Sequence, residues 1–269
     1  MRTQIIADVS SNHMGSKAVA EAMIQAAAAA GVDLVKFQSW QARKLRPDFP
    51  DYDQTFRRHQ TTELSDKDHW FLVERCRQCG VKFLTTCFDL DRVDFLAGLG
   101  LDTIKVASPD CGSLRLLDRL MEKFEHLIIS TGMTPDSEVE HMIAHTRGHR
   151  VTVLHCVSLY PTPPDRVNLA RMNWLKSLGV PVGFSDHTLG VEAGMLAISM
   201  GASMVEKHFT LSRSLPGKDQ AISGTPEEFA RLVTWANLVE TMTGVPRPRL
   251  SEDELRLREI YVGKWGDNR

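Results

Sequence analysis

The 269-residue sequence has no apolar run long enough to span a bilayer. Its N-terminus, Met1 to Asp8, is a short strand-like run with one arginine, not the long hydrophobic segment and cleavage site of a secretory signal. These absences point to a cytoplasmic protein. An excess of one charge is also missing: 32 Lys plus Arg stand against 34 Asp plus Glu, a formal net charge of −2. That balance supports neither a nucleic-acid nor a membrane-surface partner. Cysteines are few and odd in number. Cys76, Cys79, Cys87, Cys111 and Cys156 leave one unpaired under any disulfide scheme, so reduced thiols are expected. Cys76 and Cys79 form a C-x-x-C, but no second pair completes a zinc site, and they read as ordinary helix cysteines. A Gly-rich phosphate loop is lacking as well. After the first apolar run the chain reads Ser10-Ser11-Asn12-His13-Met14-Gly15, which counts against a doubly wound nucleotide-binding sheet.

What the sequence does have is alternation. Short, continuously apolar runs at 4–9, 34–37, 82–85, 103–106, 126–130, 151–155, 181–184 and 203–206 read as strands buried on both faces. Helical patterns follow them at 17–30, 66–78, 90–98, 113–123, 136–145, 168–178, 191–200 and 226–242. Ser65-Asp66 and Thr225-Pro226-Glu227-Glu228 carry helix-start signals, and Gly31, Gly80, Gly100, Gly179 and Gly201 sit where helices stop. Eight consecutive strand–helix units predict an α/β chain closed as a (β/α)8 TIM barrel over residues 1–243. Residues 244–269, broken by proline, read as a C-terminal tail or truncated linker. Two long loops, 39–63 and 210–224, follow strands and so belong on the barrel's C-terminal face, where such loops cover or build a site.

The strand ends collect polar residues: Asp8, Lys36 with Gln38, Thr86 with Phe88, Lys105 with Ser108, Ser130, Ser158 with Tyr160, Ser185 with His187, and His208. Each has a plain reading when taken singly. Their convergence on one barrel face makes them a candidate site. Lys36 and Lys105 supply positive charge, and Thr86, Ser108, Ser130 and Ser185 supply hydroxyl donors, a set suited to a phosphorylated or carboxylated anion. His187 and His208 close Ser185-Asp186-His187-Thr188 and Glu206-Lys207-His208-Phe209 on neighbouring strands. They are candidate ligands for one metal ion such as Mn²⁺, Zn²⁺ or Fe²⁺, with positions left open for substrate and water. Asp8 and Asp110 are candidate carboxylates for moving protons.

The same segments resemble the sialic acid synthases (N-acetylneuraminate synthases and relatives). The likeness runs in family order through Ile6-Ala7-Asp8-Val9, Asn12-His13-Met14-Gly15, Val35-Lys36-Phe37-Gln38, Phe83 to Asp89, Ile104 to Ser108, Ser130-Thr131-Gly132-Met133, His155 to Pro161, Ser185 to Gly190, Glu206 to Thr210 and Leu215 to Asp219. The resemblance implies a transferase that condenses phosphoenolpyruvate with an amino-sugar aldehyde such as N-acetylmannosamine, giving a 2-keto-3-deoxy acid and phosphate by C–O cleavage. It implies His187 and His208 as ligands of a divalent metal, Mn²⁺ ahead of Mg²⁺, Co²⁺, Zn²⁺ or Fe²⁺. Lys36, Thr86, Lys105, Ser108, Ser130, Ser158 and Ser185 would hold phosphoenolpyruvate, and Gln38, Phe88, Tyr160 and Asp219 would face the sugar. Asp8 stands where the family usually has Glu, and Ser158 where it often has Asn.

The family commonly carries a small C-terminal antifreeze-like domain that lends an arginine to the partner subunit's sugar, and this sequence ends near where that domain would begin. The acceptor is therefore expected to be other than plain N-acetylmannosamine or to be held differently, for which the tail offers Arg247, Arg249, Arg256 and Arg258. Implied partners are the two small substrates, a second copy in a homodimer, and a separate antifreeze-like domain protein. Two other readings compete. Lys36, Lys105 and Lys207 at strand ends would also suit a Schiff-base aldolase acting on pyruvate. The barrel could also be a non-catalytic ligand-binding subunit, or part of a split synthase.

Overall fold

A computed structural model describes residues 2–244 and 250–266. In chain order the elements are β1 (Gln4–Asp8), α1 (Lys17–Ala29), β2 (Leu34–Ser39), α2 (Tyr52–Thr62), α3 (Asp66–Gln78), β3 (Lys82–Cys87), α4 (Val93–Gly98), β4 (Thr103–Val106), α5 (Leu114–Met121), β5 (His126–Ser130), α6 (Asp136–His145), β6 (Arg150–Cys156), α7 (Arg171–Ser177), β7 (Val182–Asp186), α8 (Glu192–Ser199), β8 (Met204–His208), α9 (Pro226–Thr243) and α10 (Glu252–Tyr261). All eight strands pair in parallel and in sequence order, and β8 closes on β1 with Asp8 beside His208. The (β/α)8 barrel expected from the alternation is the fold.

Burial explains the closure. Outward-facing strand residues such as Ile5, Val35, Ile104, Ile129, Val153 and Val205 pack under the helices in one continuous core. Inward, Ile6, Leu34, Leu84, Ile128, Leu154 and Met204 form a separate apolar plug that fills the lumen. Each such side chain contributes about 1.5–3 kcal/mol by leaving water. The helix-start signals behave as the sequence suggests: Ser65 Oγ accepts from Asp68 N–H while Asp68 accepts from Ser65 N–H, and Glu228 accepts from Thr225 N–H.

Two stretches differ from expectation. The loop 39–63 contains α2, a polar helix whose only buried residues are Thr55 and Thr62, so it has no apolar stripe to reveal it. The expected tail contains α10, capped by reciprocal bonds between Ser251 and Glu254 and exposed along its length. Arg256 and Arg258 lie on it, whereas Arg247 and Arg249 fall outside the described residues. Among the described residues, no helix is long and apolar enough to cross a membrane.

Candidate active site

The site is one strand pleat above the plug. Strand side chains alternate between faces, so the residue two positions beyond an inward one also points inward. From Ile6, Leu34, Leu84, Ile128, Leu154 and Met204 this step reaches Asp8, Lys36, Thr86, Ser130, Cys156 and Glu206. On the other two strands Lys105 and Ser185 occupy that level. All eight line one cavity of about 180 Å³ at the C-terminal mouth, one residue from each strand. Above them stand Gln38, Phe88, Ser108, Tyr160, His187 and His208.

The floor is a buried charge network. Lys36 Nζ lies 3.1 Å from Asp8 Oδ2 and 3.0 Å from Glu206 Oε1, and Lys105 Nζ lies 3.8 Å from the same glutamate oxygen. Lys105 also donates to Ser130 Oγ at 2.6 Å and to the Val106 carbonyl at 2.9 Å, and Ser185 Oγ donates to Glu206 at 3.2 Å. Burial works against the charges of Glu206, Lys36 and Lys105. For Glu206 the two lysines outweigh it and hold the pKa at about 2. For Lys36, Asp8 and Glu206 outweigh it and raise the pKa. For Lys105 burial wins, aided by Lys36, and the ammonium falls to about 8. One cation of the pair is thus fixed and the other is poised to titrate.

The two histidines face each other above this floor, ring centroids 5.4 Å apart, with Tyr160 4.2 Å from His187. His187 Nδ1 bonds the Val157 carbonyl at 3.0 Å, which fixes Nδ1 as the protonated nitrogen and leaves Nε2 with a free lone pair. Burial lowers the pKa of His208, keeping it neutral. Its Nδ1 comes within 3.3 Å of Asp8 Oδ2 but makes no hydrogen bond, so a buried polar atom is left without a partner. At His187, Cys156 and the Val157 carbonyl outweigh burial and raise the pKa, so a metal at its Nε2 would displace a proton; with the orphaned nitrogen of His208, the two imidazoles fit a divalent cation. No cluster of three or more His, Cys, Asp or Glu able to hold a metal occurs among the described residues, so such an ion would complete its coordination with substrate and water.

Of the other residues singled out by sequence, Ser158 lines an adjoining cavity, but its Oγ points back toward the site and lacks a partner. A methyl group on Gly132 would lie 2.3 Å from that oxygen, 2.9 Å from Ser108 Oγ and 3.0 Å from Cys156 Sγ, so the three converge on one point. Asp219 stands at the rim, accepting from Ser10 Oγ at 3.3 Å and Ser11 Oγ at 3.5 Å, and its charge is felt by Tyr160 and His208. Asp110 is not brought to the central cavity. It lies in a 3-10 turn beyond β4, accepts from Ser113 Oγ at 3.1 Å, and lines a neighbouring cleft with Phe88, Lys44 and Arg115. The strand alternation that aims Lys105 inward has ended by that point, so Asp110 is not placed to serve the central cavity.

Sequence reasoning missed Glu206 and Cys156. Both could have been found by counting back two from His208 and forward two from Leu154. Cys156 Sγ is 3.8 Å from His187 Nδ1. Burial opposes its thiolate, yet His187, Ser108 and Lys105 pull its pKa below the usual thiol value. Lys207 points the other way. It is buried in an ion pair with Asp186 at 3.0 Å on the outer face of the barrel.

Residues 23–247 match the NeuB family. The chain is 35% identical over 275 residues to the N,N'-diacetyllegionaminic acid synthase of Legionella pneumophila, covering 95% of this chain and 77% of that protein. It is 29% identical over 269 residues to human N-acetylneuraminate-9-phosphate synthase, covering 95% and 75%. The crystal structure of an N-acetylneuraminic acid synthetase from Leptospira borgpetersenii, in complex with citrate, superposes with a TM-score of 0.89 at 30% identity over 98% of this chain and 94% of that one. The chain therefore belongs to the NeuB family and is a transferase of the sialic acid synthase type.

Proposed function

We propose that the enzyme condenses phosphoenolpyruvate with the open-chain aldehyde of an N-acyl amino sugar, releasing phosphate and a sialic-acid-like 2-keto-3-deoxy acid. The observation that carries this is the buried pair Lys36 and Lys105 set among hydroxyls directly beneath two facing histidines. Ser108 and Ser158 converge at Gly132, Lys105 donates to Ser130, and these four suit a phosphate, while Lys36, Thr86 and Ser185 suit a carboxylate. Thr86 Oγ1 and Ser158 Oγ have no protein partner and are free to donate to an anion. A divalent metal held by His187 and His208, Mn²⁺ by preference, would supply Lewis acidity to the aldehyde.

The chain's own residues do the rest. The anion clamp holds C3 of phosphoenolpyruvate toward the acceptor, so that C3 bonds to the aldehyde carbon while the aldehyde oxygen takes up a proton. Lys36 and Lys105 stabilise the anion held beneath it. Water then adds to C2, the C2–O bond to phosphate breaks, and the new C2 hydroxyl loses its proton to become the keto group; of water's two protons, one ends on the former aldehyde oxygen and one leaves on phosphate. Asp8, 3.1 Å from Lys36 Nζ and 3.3 Å from His208 Nδ1, is the carboxylate placed to take a proton from that water. The relatives' names place both phosphorylated and unphosphorylated sugar acids within the family's range. Phosphoenolpyruvate is a cytoplasmic metabolite, so this reading places the enzyme in the cytoplasm.

The test is phosphate release from phosphoenolpyruvate with Mn²⁺ across a panel of aldoses, with product mass measured. His187→Ala and His208→Ala should each abolish metal-dependent turnover, and full activity in either refutes the assignment. One observation favours a second reading: the depressed pKa of Lys105 is what a Schiff-base lysine needs. Borohydride trapping of pyruvate on Lys105 would establish that reading, and metal-dependent phosphate release without trapping would dismiss it.

A further inference from the structure

The proposed phosphate end of the site adjoins a second cavity of about 400 Å³, built by the turns after β5 and β6 and the start of α7. Met133 and Cys156 line both cavities and form the partition between them. The seam beside them is polar. Ser108 Oγ accepts from Gly132 N–H at 2.9 Å, and Ser158 Oγ, which has no partner, comes close to it at the point where a Cβ on Gly132 would stand. Met133 is 67% exposed and unbranched, so its side chain can swing without disturbing the core. It also holds φ at +53°, a left-handed conformation that is strained for a residue other than glycine and that clusters at ligand sites.

The second cavity is cationic. Arg166 and Arg171 line it, and among the described residues no Asp or Glu does. Each arginine has a carboxylate nearby, and neither is saturated by it. Arg166 lies 3.9 Å from its chain neighbour Asp165, with side chains 71% and 79% exposed, where such a pair contributes little. Arg171 bonds Asp136 through Nη1 and lies over the Trp174 ring, and its guanidinium carries five N–H donors in all. His155 is a separate sign of a missing ligand. It lines the cavity at 1% exposure, donates through Nε2 to the Val167 carbonyl at 2.7 Å, and has no partner for Nδ1. Burial and the charge of Arg171 keep this imidazole neutral, so Nδ1 is a bare acceptor. Guanidinium donors with one bare acceptor match hydrogen phosphate, whose charged oxygens accept and whose O–H donates.

Taking the condensation proposed above as given, we infer that this cavity is the subsite for the phosphate released by C–O cleavage, which leaves past Met133 on the β5–β6 side rather than through the mouth. The central cavity, about 180 Å³, is smaller than a usual small-molecule site of roughly 300–1,000 Å³ and does not hold phosphate and a sugar acid together. A side pocket that takes the phosphate clears Lys105 and its hydroxyls while the sugar acid still fills the mouth.

The experiment uses the full chain with Mn²⁺ and inorganic phosphate as the probe. In calorimetric titration, protein saturated with phosphoenolpyruvate and given no acceptor should still bind phosphate. The double variant Arg166→Ala, Arg171→Gln should weaken that binding at least tenfold and move the phosphoenolpyruvate Kd less than twofold. In turnover, phosphate should inhibit with a part that saturating phosphoenolpyruvate does not relieve, and the double variant should keep only the competitive part. Should the double variant fail to fold, Arg166→Glu, a charge reversal at an exposed side chain, gives the same loss. No phosphate binding to the saturated protein, binding unmoved by the arginine variants, or purely competitive inhibition of the wild type each overturns the subsite. The phosphate monoester of N-acetylmannosamine separates the sources of phosphate. A monoester KM that rises tenfold in the variants, with phosphate inhibition unchanged, gives the cavity to the acceptor and overturns the exit. Arginine-dependent phosphate binding in protein that turns over no aldose keeps the phosphate site and sinks the condensation, whereas turnover without such binding sinks the subsite alone.

Discussion

Lys207→Met tests what the outward-facing ion pair does for the site behind it. Lys207 Nζ is 3.0 Å from Asp186 Oδ2 and donates to the Thr188 carbonyl at 2.5 Å, and the two side chains are 1% and 0% exposed. Asp186 and Lys207 are direct register partners on β7 and β8, each next in sequence to one of the two histidines. At that separation two unit charges attract by about 5 kcal/mol at an effective dielectric near 20. Each ion has also lost its water at a cost of several kcal/mol, so the pair as a whole contributes little over an uncharged replacement. Removing only the ammonium is different. It strands the Asp186 carboxylate with the N–H and hydroxyl of Thr188 as its remaining partners. The expected loss is about 3–5 kcal/mol. The double variant Asp186→Asn, Lys207→Met should recover most of it. Urea unfolding reads the change as a lower midpoint at unchanged slope. Electron paramagnetic resonance of free Mn²⁺ should show weaker metal binding in the single variant and partial recovery in the double. A single variant within about 0.5 kcal/mol of wild type, or a double less stable than the single, refutes the reasoning. The same pair rules out Lys207 as a Schiff-base nucleophile: borohydride with pyruvate should label no peptide containing it.

Three further outcomes follow from the geometry. Burial sets Lys105 at about 8, so the group is cationic below that pH and neutral above it. Anion attraction is lost as the proton leaves, and kcat/KM for phosphoenolpyruvate should fall above about pH 8; a profile flat to about pH 10 contradicts this. Gly132→Ala places a methyl group within 3.0 Å of Ser158 Oγ, Ser108 Oγ and Cys156 Sγ. Overpacking there should cost about 1–3 kcal/mol and raise the phosphoenolpyruvate KM well above the acceptor KM, as measured by melting and steady-state kinetics. Gly15 holds φ at +77°, and an added Cβ would lie 2.2 Å from the Thr61 carbonyl oxygen at the end of α2. Gly15→Ala should therefore cost more than about 1 kcal/mol, read as a lower urea midpoint, and a midpoint equal to wild type contradicts the clash.

The contrast between Glu206 and Trp40 shows where sequence reading reaches and where it stops. A strand dictates side-chain direction by its two-residue period. Once Ile6, Leu34 and Met204 are placed in the lumen, Asp8, Lys36, Glu206 and His208 must follow them inward and Lys207 must face out. The inward placement of the charged floor and the histidines is therefore readable from local pattern, and Glu206, two places before His208, obeys the same period. Asp110 shows the limit of the same rule: it lies past the end of β4, in a turn where the period no longer holds. Loop residues take their direction from long-range partners instead. Trp40 is aimed by the carbonyl of His59, nineteen positions away, and Lys44 by Asp91, forty-seven away. Neither bond leaves a trace in local composition, and α2, which supplies one of them, has no apolar face to betray it. In this barrel the candidate anion and metal residues sit mainly on strands, and the loop carrying α2 stands beside them at the mouth. Recognition of the family from sequence thus carries no comparable claim on the acceptor, because loop residues such as Trp40 and Lys44 are positioned by partners far away in the chain.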